Sequence, residues 1–304
     1  MRRWFVLTPI DGLLLLMVLI WGSNFSLVKT ALVEIPPQSF NALRLVVAST
    51  IFLVAIVAKG WPSLSRKDWL LIAFFGFVGH FIYQLCFMGG LARTTASNSS
   101  LILGCSPVAV ALASALAGHE KISRNQCVGA GLSVVGIYLV VGSGAHFGSA
   151  SLTGDFLTLG AVVCWAVYTV GSRSLLAKFS PLIVTGLTMS IGTVLFIPTA
   201  LPELLGLNIS RIPTWVWMAV VFSSVLALNV AYLIWYTSVQ RIGNIRTSVY
   251  SNVTPLVAIA VAAISLGERV TLSNVGGAAA ILAGVVFTRR TTGFRASSDP
   301  PAEE

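Results

Sequence analysis

The side chains of this chain that could do chemistry are an asparagine, an arginine and a histidine set inside long apolar runs: Asn24, Arg44 and His80. Such groups are expensive in apolar surroundings, roughly 2.5–3.5 kcal/mol for a charge at mid-helix on insertion scales, so each needs a reason to be there. Trp21, Asn24, Phe25 and Val28 follow the i, i+3, i+4, i+7 spacing of one helix face. From that face Asn24 either hydrogen-bonds a bound solute or bonds a neighbouring helix. Arg44 either snorkels to an interface or turns inward, where its guanidinium attracts a carboxylate. His80 lies with Tyr83, Gln84 and Phe87 on one face. It either takes up a proton near neutral pH or stays neutral against a backbone carbonyl. Asn229, Tyr232, Trp235 and Tyr236 make a comparable face, Trp165 and Tyr168 another, and Asn98 and Asn252 add amides. Together they predict an aromatic cavity with few polar handles, the composition of a small-molecule site, although aromatic stripes also serve packing.

The elements that must position these groups are set by composition. Of 304 residues, 56% are hydrophobic and 10% charged, and mean hydropathy is +0.89. An ordinary soluble domain carries about 25% charged residues, so a water-soluble fold is excluded. Reading from breaker to breaker predicts spans near 11–33, 39–58, 69–89, 97–117, 124–142, 155–176, 182–201, 213–238, 246–266 and 272–288. Each is long enough to cross the hydrocarbon core, where backbone groups must be satisfied within their own segment. The period-2 alternation of a membrane barrel is absent. The expected fold is therefore an all-α membrane protein of ten transmembrane helices, with a disordered tail at 291–304. Pro107 and Pro255 follow Ser106 and Thr254 in mid-span; each removes a backbone donor and predicts a kink where a polar group can face a cavity. Gly129, Gly131 and Gly136, like Gly276, Gly277 and Gly284, predict close-packing or dimerising helix surfaces.

A net charge of +9 could suggest nucleic acid, but its distribution sets topology instead. With the N-terminus inside, cytoplasmic segments hold Arg2, Arg3, Lys59, Arg66, Lys67, Lys121, Arg124, Arg173, Lys178, Arg241, Arg246, Arg289, Arg290 and Arg295. The opposite side holds only Lys29, Arg93, Arg211 and Arg269. The expectation is a multi-pass protein of the cell inner membrane with both termini cytoplasmic and no nucleic-acid partner. The first apolar run continues through Trp21 and Asn24 without a small-residue cleavage site and reads as a span rather than a cleaved signal. Cys86, Cys105, Cys127 and Cys164 fall inside spans at no metal-ligand spacing, and no cofactor or metal is expected.

Self-comparison finds a duplication. One alignment pairs Arg93 with Arg241, Ser100 with Ser248, Pro107 with Pro255, Glu120 with Glu268, Lys121 with Arg269, Gly129 with Gly277 and Gly136 with Gly284. A second, slightly shifted, pairs Asp11 with Asp155, Trp21 with Trp165, Lys29 with Arg173 and Pro37 with Pro181. The units run over 1–146 and 147–290. With an odd number of spans in each, the two copies must be inverted, and inverted copies can exchange inward-open and outward-open states around a site at their interface.

These residues resemble the drug/metabolite transporter superfamily, in particular its EamA-type ten-helix members. The resemblance rests on Trp21-Gly22-Ser23-Asn24-Phe25 followed by Pro36 and Arg44, on Gly-Leu-Ala-Arg at 90–93 and Val-Gln-Arg-Ile-Gly at 239–243, and on Ser-Pro at 106–107 and Thr-Pro at 254–255 before Glu120 and Glu268. It covers about residues 10–290. It implies a proton-linked or otherwise secondary exporter of amino acids or related metabolites. The second half has Cys164-Trp165-Ala166-Val167-Tyr168 where the first has Trp-Gly-Ser-Asn-Phe, so a role of Asn24 is not duplicated. An intramembrane enzyme is the competing class, and His-Glu-x-x-His, Gly-x-Ser-x-Gly, a P-loop and an intramembrane acidic pair are all missing. A purely structural membrane role is the other alternative, since small-residue helices also serve packing.

Overall fold

The computed structural model describes residues 9–117, 124, 128–129, 131–132, 135–136, 139, 149–251 and 253–289. Most of the expected fifth span, Glu120 and Lys121, Cys127, Asn252 and the 291–304 tail lie outside the described residues. Among the described residues the chain is helical, without strands. The helices are α1 (Pro9–Ala31), α2 (Pro37–Lys59), α3 (Arg66–Gly76), α4 (Tyr83–Arg93), α5 (Ala96–Leu103) and α6 (Ser106–Leu116) in the first part. They continue as α7 (Ser149–Gly171), α8 (Arg173–Leu176), α9 (Pro181–Leu205), α10 (Thr214–Val221), α11 (Ala231–Ser251), α12 (Thr254–Ser265) and α13 (Leu272–Arg289).

Seven stretches among the described residues are long and apolar enough to cross a membrane: Pro9–Ala31, Pro37–Lys59, Arg66–Arg93, Ala96–Leu116, Leu152–Leu176, Pro181–Leu205 and Thr214–Ile242. Thr254–Ser265 and Leu272–Gly284 are shorter apolar helices. The chain is thus a multi-pass membrane protein. Its side chains follow the inverse of a soluble fold: Leu19, Val54, Val57, Leu70 and Phe74 face outward, while Arg44, His80, Gln84 and Thr158 are buried.

Two spans are continuous only because a wider turn splices their halves. Phe77–Ile82 joins α3 to α4 as a π-helix, and Phe222–Val230 joins α10 to α11 in the same way. The alignment that pairs Pro107 with Pro255 sets residues 77–82 against 225–230, so the two wide turns fall at matching places in the duplicated sequence. The fourth span is interrupted near Pro107. Helix α5 ends at Leu103, Gly104 and Cys105 form a turn in right-handed helical backbone, and α6 restarts with Pro107 in its first turn, where the missing N–H costs nothing. Pro255 takes the same place in α12. The expected joint between 238 and 246 differs from the structure, in which α11 continues to Ser251; Gly243 alone costs about 1 kcal/mol and does not end a helix.

Without water to drive apolar surfaces together, helices in lipid associate through close packing, which small residues permit. A Cβ on Gly22 would come within 2.6 Å of Val257, so α1 lies directly on α12. A Cβ on Gly90 would meet the Gly154 carbonyl at 2.9 Å where α4 crosses α7. Gly136 is used in the same way against Gly277 and Ile281 of α13.

Helix ends are capped by side chains both local and distant in sequence. Ser65 and Asp68 form a capping box at α3, Glu203 accepts the N–H groups of Gln38 and Ser39 at the head of α2, and Thr95 accepts from Asn98 at α5. Lys178 reaches Asp68 at 2.8 Å, with the lysine more than half exposed. Screened by solvent, this pair contributes about 0–1 kcal/mol, and Lys178→Met is expected to shift the thermal midpoint of the detergent-solubilised protein by no more than a few degrees. A collapse of folding in that variant would overturn this assessment.

Candidate functional site

At the interruption of the fourth span lies a half-open cavity of about 100 Å³. Helix α1 supplies Trp21, Asn24 and Phe25, α2 supplies Arg44, and α4 supplies Tyr83, Gln84 and Phe87. The interrupted span adds Ser100, Leu103, Gly104 and Ser106. From the second half come Trp165 on α7, Ala227 and Leu228 on the wide turn, Tyr232, Trp235 and Ser251 on α11, and Thr254 and Pro255 on α12. One wall is an aromatic cluster: the Trp21 ring lies 5.8 Å from Trp165, 5.9 Å from Tyr232 and 5.7 Å from Trp235, the first two edge-on. Edge-to-face pairs of this kind hold one another in fixed orientations, worth about 0.5–1.5 kcal/mol each beyond area burial.

Arg44 faces this cavity with its side chain 1% exposed. Its Nε donates to Asn41 Oδ1 at 2.7 Å, Nη1 to Ser223 Oγ at 2.9 Å and Nη2 to Gln84 Oε1 at 2.6 Å. The Cζ atom sits 5.5 Å from the centroid of the Phe87 ring. Every one of these partners is neutral. Among the described residues no carboxylate pairs with Arg44, the ion pair found there joining Lys178 to Asp68 instead. A buried charge that has lost water and found no counter-ion carries a penalty of several kcal/mol, which an anion in the cavity would offset.

The polar atoms around the guanidinium share its bias. Because Asn41 and Gln84 turn their carbonyl oxygens toward Arg44, their amide nitrogens Nδ2 and Nε2 are left without acceptors. On the cavity wall Trp235 Nε1, Thr254 Oγ1 and the acceptor Asn24 Oδ1 also lack partners. The wide turn Phe222–Val230 is what brings the second half here. Besides Ser223, it offers the Ala227 carbonyl to Trp21 Nε1 at 3.0 Å and sends Asn229 Nδ2 to the Ala48 carbonyl at 3.0 Å.

The residues expected from sequence divide accordingly. Trp21, Asn24, Arg44, Tyr83, Gln84, Trp165, Tyr232, Trp235 and Pro255 line the cavity. His80, Tyr168, Asn98, Asn229 and Pro107 do not. His80 is fully buried, its ring 4.9 Å from Tyr168 and 5.7 Å from Tyr232, with both nitrogens unpartnered. A Cβ on Gly192 would collide with the Cβ of His80, which places His80 against α9 rather than on the cavity wall. Tyr168 supports the aromatic cluster from behind, its hydroxyl 2.9 Å from Thr188 Oγ1. Asn98 and Asn229 bond helices to each other, Asn98 Oδ1 accepting from Asn274 Nδ2 at 3.2 Å. Sequence reasoning missed Asn41 and Ser223; Asn41 stands three positions before Arg44, a spacing that signals contact, whereas nothing local announces Ser223.

The chain belongs to the EamA-like transporter family, which matches residues 8–142 and again 152–290. The "Uncharacterized transporter YyaM" of Bacillus subtilis is 28% identical over 87% of this chain and 88% of its own length. The "Probable terminal-alkyne amino-acid exporter" of Streptantibioticus cattleyicolor is 27% identical over 95% of this chain and 96% of its own. The "Probable amino-acid metabolite efflux pump" of Escherichia coli K12 is 27% identical over 90% and 93%. A solved structure titled "Crystal structure of protein" superposes with a TM-score of 0.68 over 92% of this chain and 96% of that one at 20% identity, a likeness of fold. Family and relatives together indicate a membrane transporter of small molecules rather than an enzyme.

Proposed function

We propose that this chain is a secondary active transporter that exports amino acids or related small metabolites by alternating access. In this reading ten transmembrane helices form two inverted five-helix repeats, residues 1–146 and 147–290, in the cell inner membrane, with both termini and the 291–304 tail cytoplasmic. The observation that carries it is Arg44: a buried guanidinium with only neutral partners, facing a cavity walled by helices from both repeats. Such a group suits a solute that brings its own negative charge. The two successive family matches support the repeat boundaries, and the printed names of relatives support amino-acid-like cargo. Cavity positions Trp21, Asn24, Arg44, Gln84, Trp165, Tyr232 and Trp235 are the substrate contacts of this proposal. Asn98, Asn229 and Tyr168 act by holding the helices that carry them. His80 is the proposed proton carrier if export is proton-coupled, and a homodimer would use the outer Gly-rich faces of the fifth and tenth spans.

The test is counterflow into proteoliposomes holding the purified protein, with a panel of labelled amino acids, acylated amino acids, carboxylates and nucleosides, with and without a pH gradient. Accumulation of carboxylate-bearing, largely apolar solutes above empty liposomes is the expected result. Absence of flux for every class, from protein shown to be folded and inserted, would overturn the proposal.

A further inference from the structure

The cavity differs from one built for a zwitterion in a specific way: it has donors for a carboxylate and nothing anionic for an ammonium. Arg44 carries five N–H donors and spends three on Asn41, Ser223 and Gln84, which leaves one on each Nη without a protein acceptor among the described residues. Gln84 Nε2 stands beside them, likewise unpartnered, and Trp235 Nε1 lies unpartnered on the aromatic wall. No Asp or Glu lines the cavity among the described residues. The unsatisfied acceptors among the lining residues are Asn24 Oδ1 and the Thr254 hydroxyl, both neutral. The rings of Trp21, Trp165, Tyr232 and Trp235 pack edge-on and tilted against one another at 5.6–5.9 Å, and they carry no formal charge to pair with an ammonium.

From this excess of donors, and resting on the transport reading above, we infer that the cargo is a singly charged, largely apolar carboxylate whose nitrogen is acylated or absent, rather than a zwitterionic amino acid. The carboxylate satisfies Arg44 and Gln84, the one amide N–H of an N-acyl compound satisfies Asn24 Oδ1, and its acyl carbonyl accepts from the wall donors. A protonated amine in the same place brings three donors and a positive charge to a cavity whose one fixed charge is already positive, and it must leave its water to do so. Acylation removes that charge and two of the three donors at a stroke.

The experiment is calorimetric titration of the wild-type protein in detergent with N-acetylphenylalanine, 3-phenylpropionate, phenylalanine and N-acetylphenylalaninamide, followed by counterflow with the first three. The two anions are expected to bind at least tenfold more tightly than phenylalanine, and the uncharged amide at least tenfold more weakly than its acid. Phenylalanine binding as tightly as its acetylated form, the amide binding as tightly as the acid, or no binding by either anion at millimolar concentration would each overturn the inference. Flux of phenylalanine without that preference would sink the inference and leave the transport reading intact. Tight binding of the anions without any counterflow would do the reverse.

Discussion

Arg44→Met is expected to yield a protein that inserts and folds but loses carboxylate binding by a factor of roughly 30 to more than 1,000, the equivalent of about 2–5 kcal/mol for removing one partner of a desolvated charge pair. Two contributions add here. The cargo loses its counter-ion, and Asn41 Oδ1, Ser223 Oγ and Gln84 Oε1 lose their shared donor. The second contribution falls on the protein itself, about 1–3 kcal/mol for buried groups left without partners, and is offset by relief of the unpaired charge's desolvation penalty, so the thermal midpoint should change little while binding is lost. Arg44→Lys separates the two. It keeps a charge but replaces a planar fork by a point donor that cannot serve three acceptors and a carboxylate together, and an intermediate loss of about 10- to 100-fold is expected. Titration and flux on variants matched for monodispersity read both. Wild-type affinity in a folded Arg44→Met protein would remove Arg44 from the site.

Cross-linking the far end of the fourth span to the loop after α12 is expected to reduce counterflow to the level of empty liposomes. Glu268 accepts from the backbone N–H groups of Ala96 and Ser97 at 2.9 and 3.1 Å and from the Ser97 hydroxyl, so a residue of the second half caps a helix of the first. Nearby, Lys29 donates to the carbonyls of Leu91, Ala92 and Thr94, and Thr94 donates to Asp155. If the two halves rock against each other, this end must part in every cycle. Ser97→Cys with Glu268→Cys, in a background without Cys86, Cys105, Cys127 and Cys164 and joined by a short reducible thiol linker, holds it closed. Flux should return on reduction. Undiminished counterflow in fully cross-linked protein would exclude movement at this contact.

How much of this was legible in advance depended on the physics behind each feature. Seven of the expected spans were readable because lipid demands long apolar segments, and the inward face of α1 followed from helical spacing at Trp21, Asn24 and Phe25. Arg44 stood out by its type alone, and its inward direction agrees with the second of the two readings open to it. What sequence could not supply were features made by tertiary context. Nothing in Phe-Val-Gly-His-Phe-Ile announces a π turn, or that Gly192 of α9 and the rings of Tyr168 and Tyr232 take up the space around His80. The roles of Asn98 and Asn229 as ties between helices depend on Asn274 and on the Ala48 carbonyl, distant in the chain. Whether an amide inside a membrane faces cargo or a neighbouring helix is decided by what crosses it, and that is not a local property.

The wide turns at Phe77–Ile82 and Phe222–Val230 make each of these spans one residue too long for its own helical count. Each turn closes with five residues where an α turn uses four, so the extra residue is taken up on the spot and the helix beyond keeps its face. Removing a single residue from either stretch would restore the ordinary ladder and leave Tyr83, Gln84 and Phe87, or Tyr232 and Trp235, on the cavity wall. Among natural variants of this chain, loss of one residue should be found inside these two stretches and be missing from the α segments that flank them, where it swings everything beyond through about 100°.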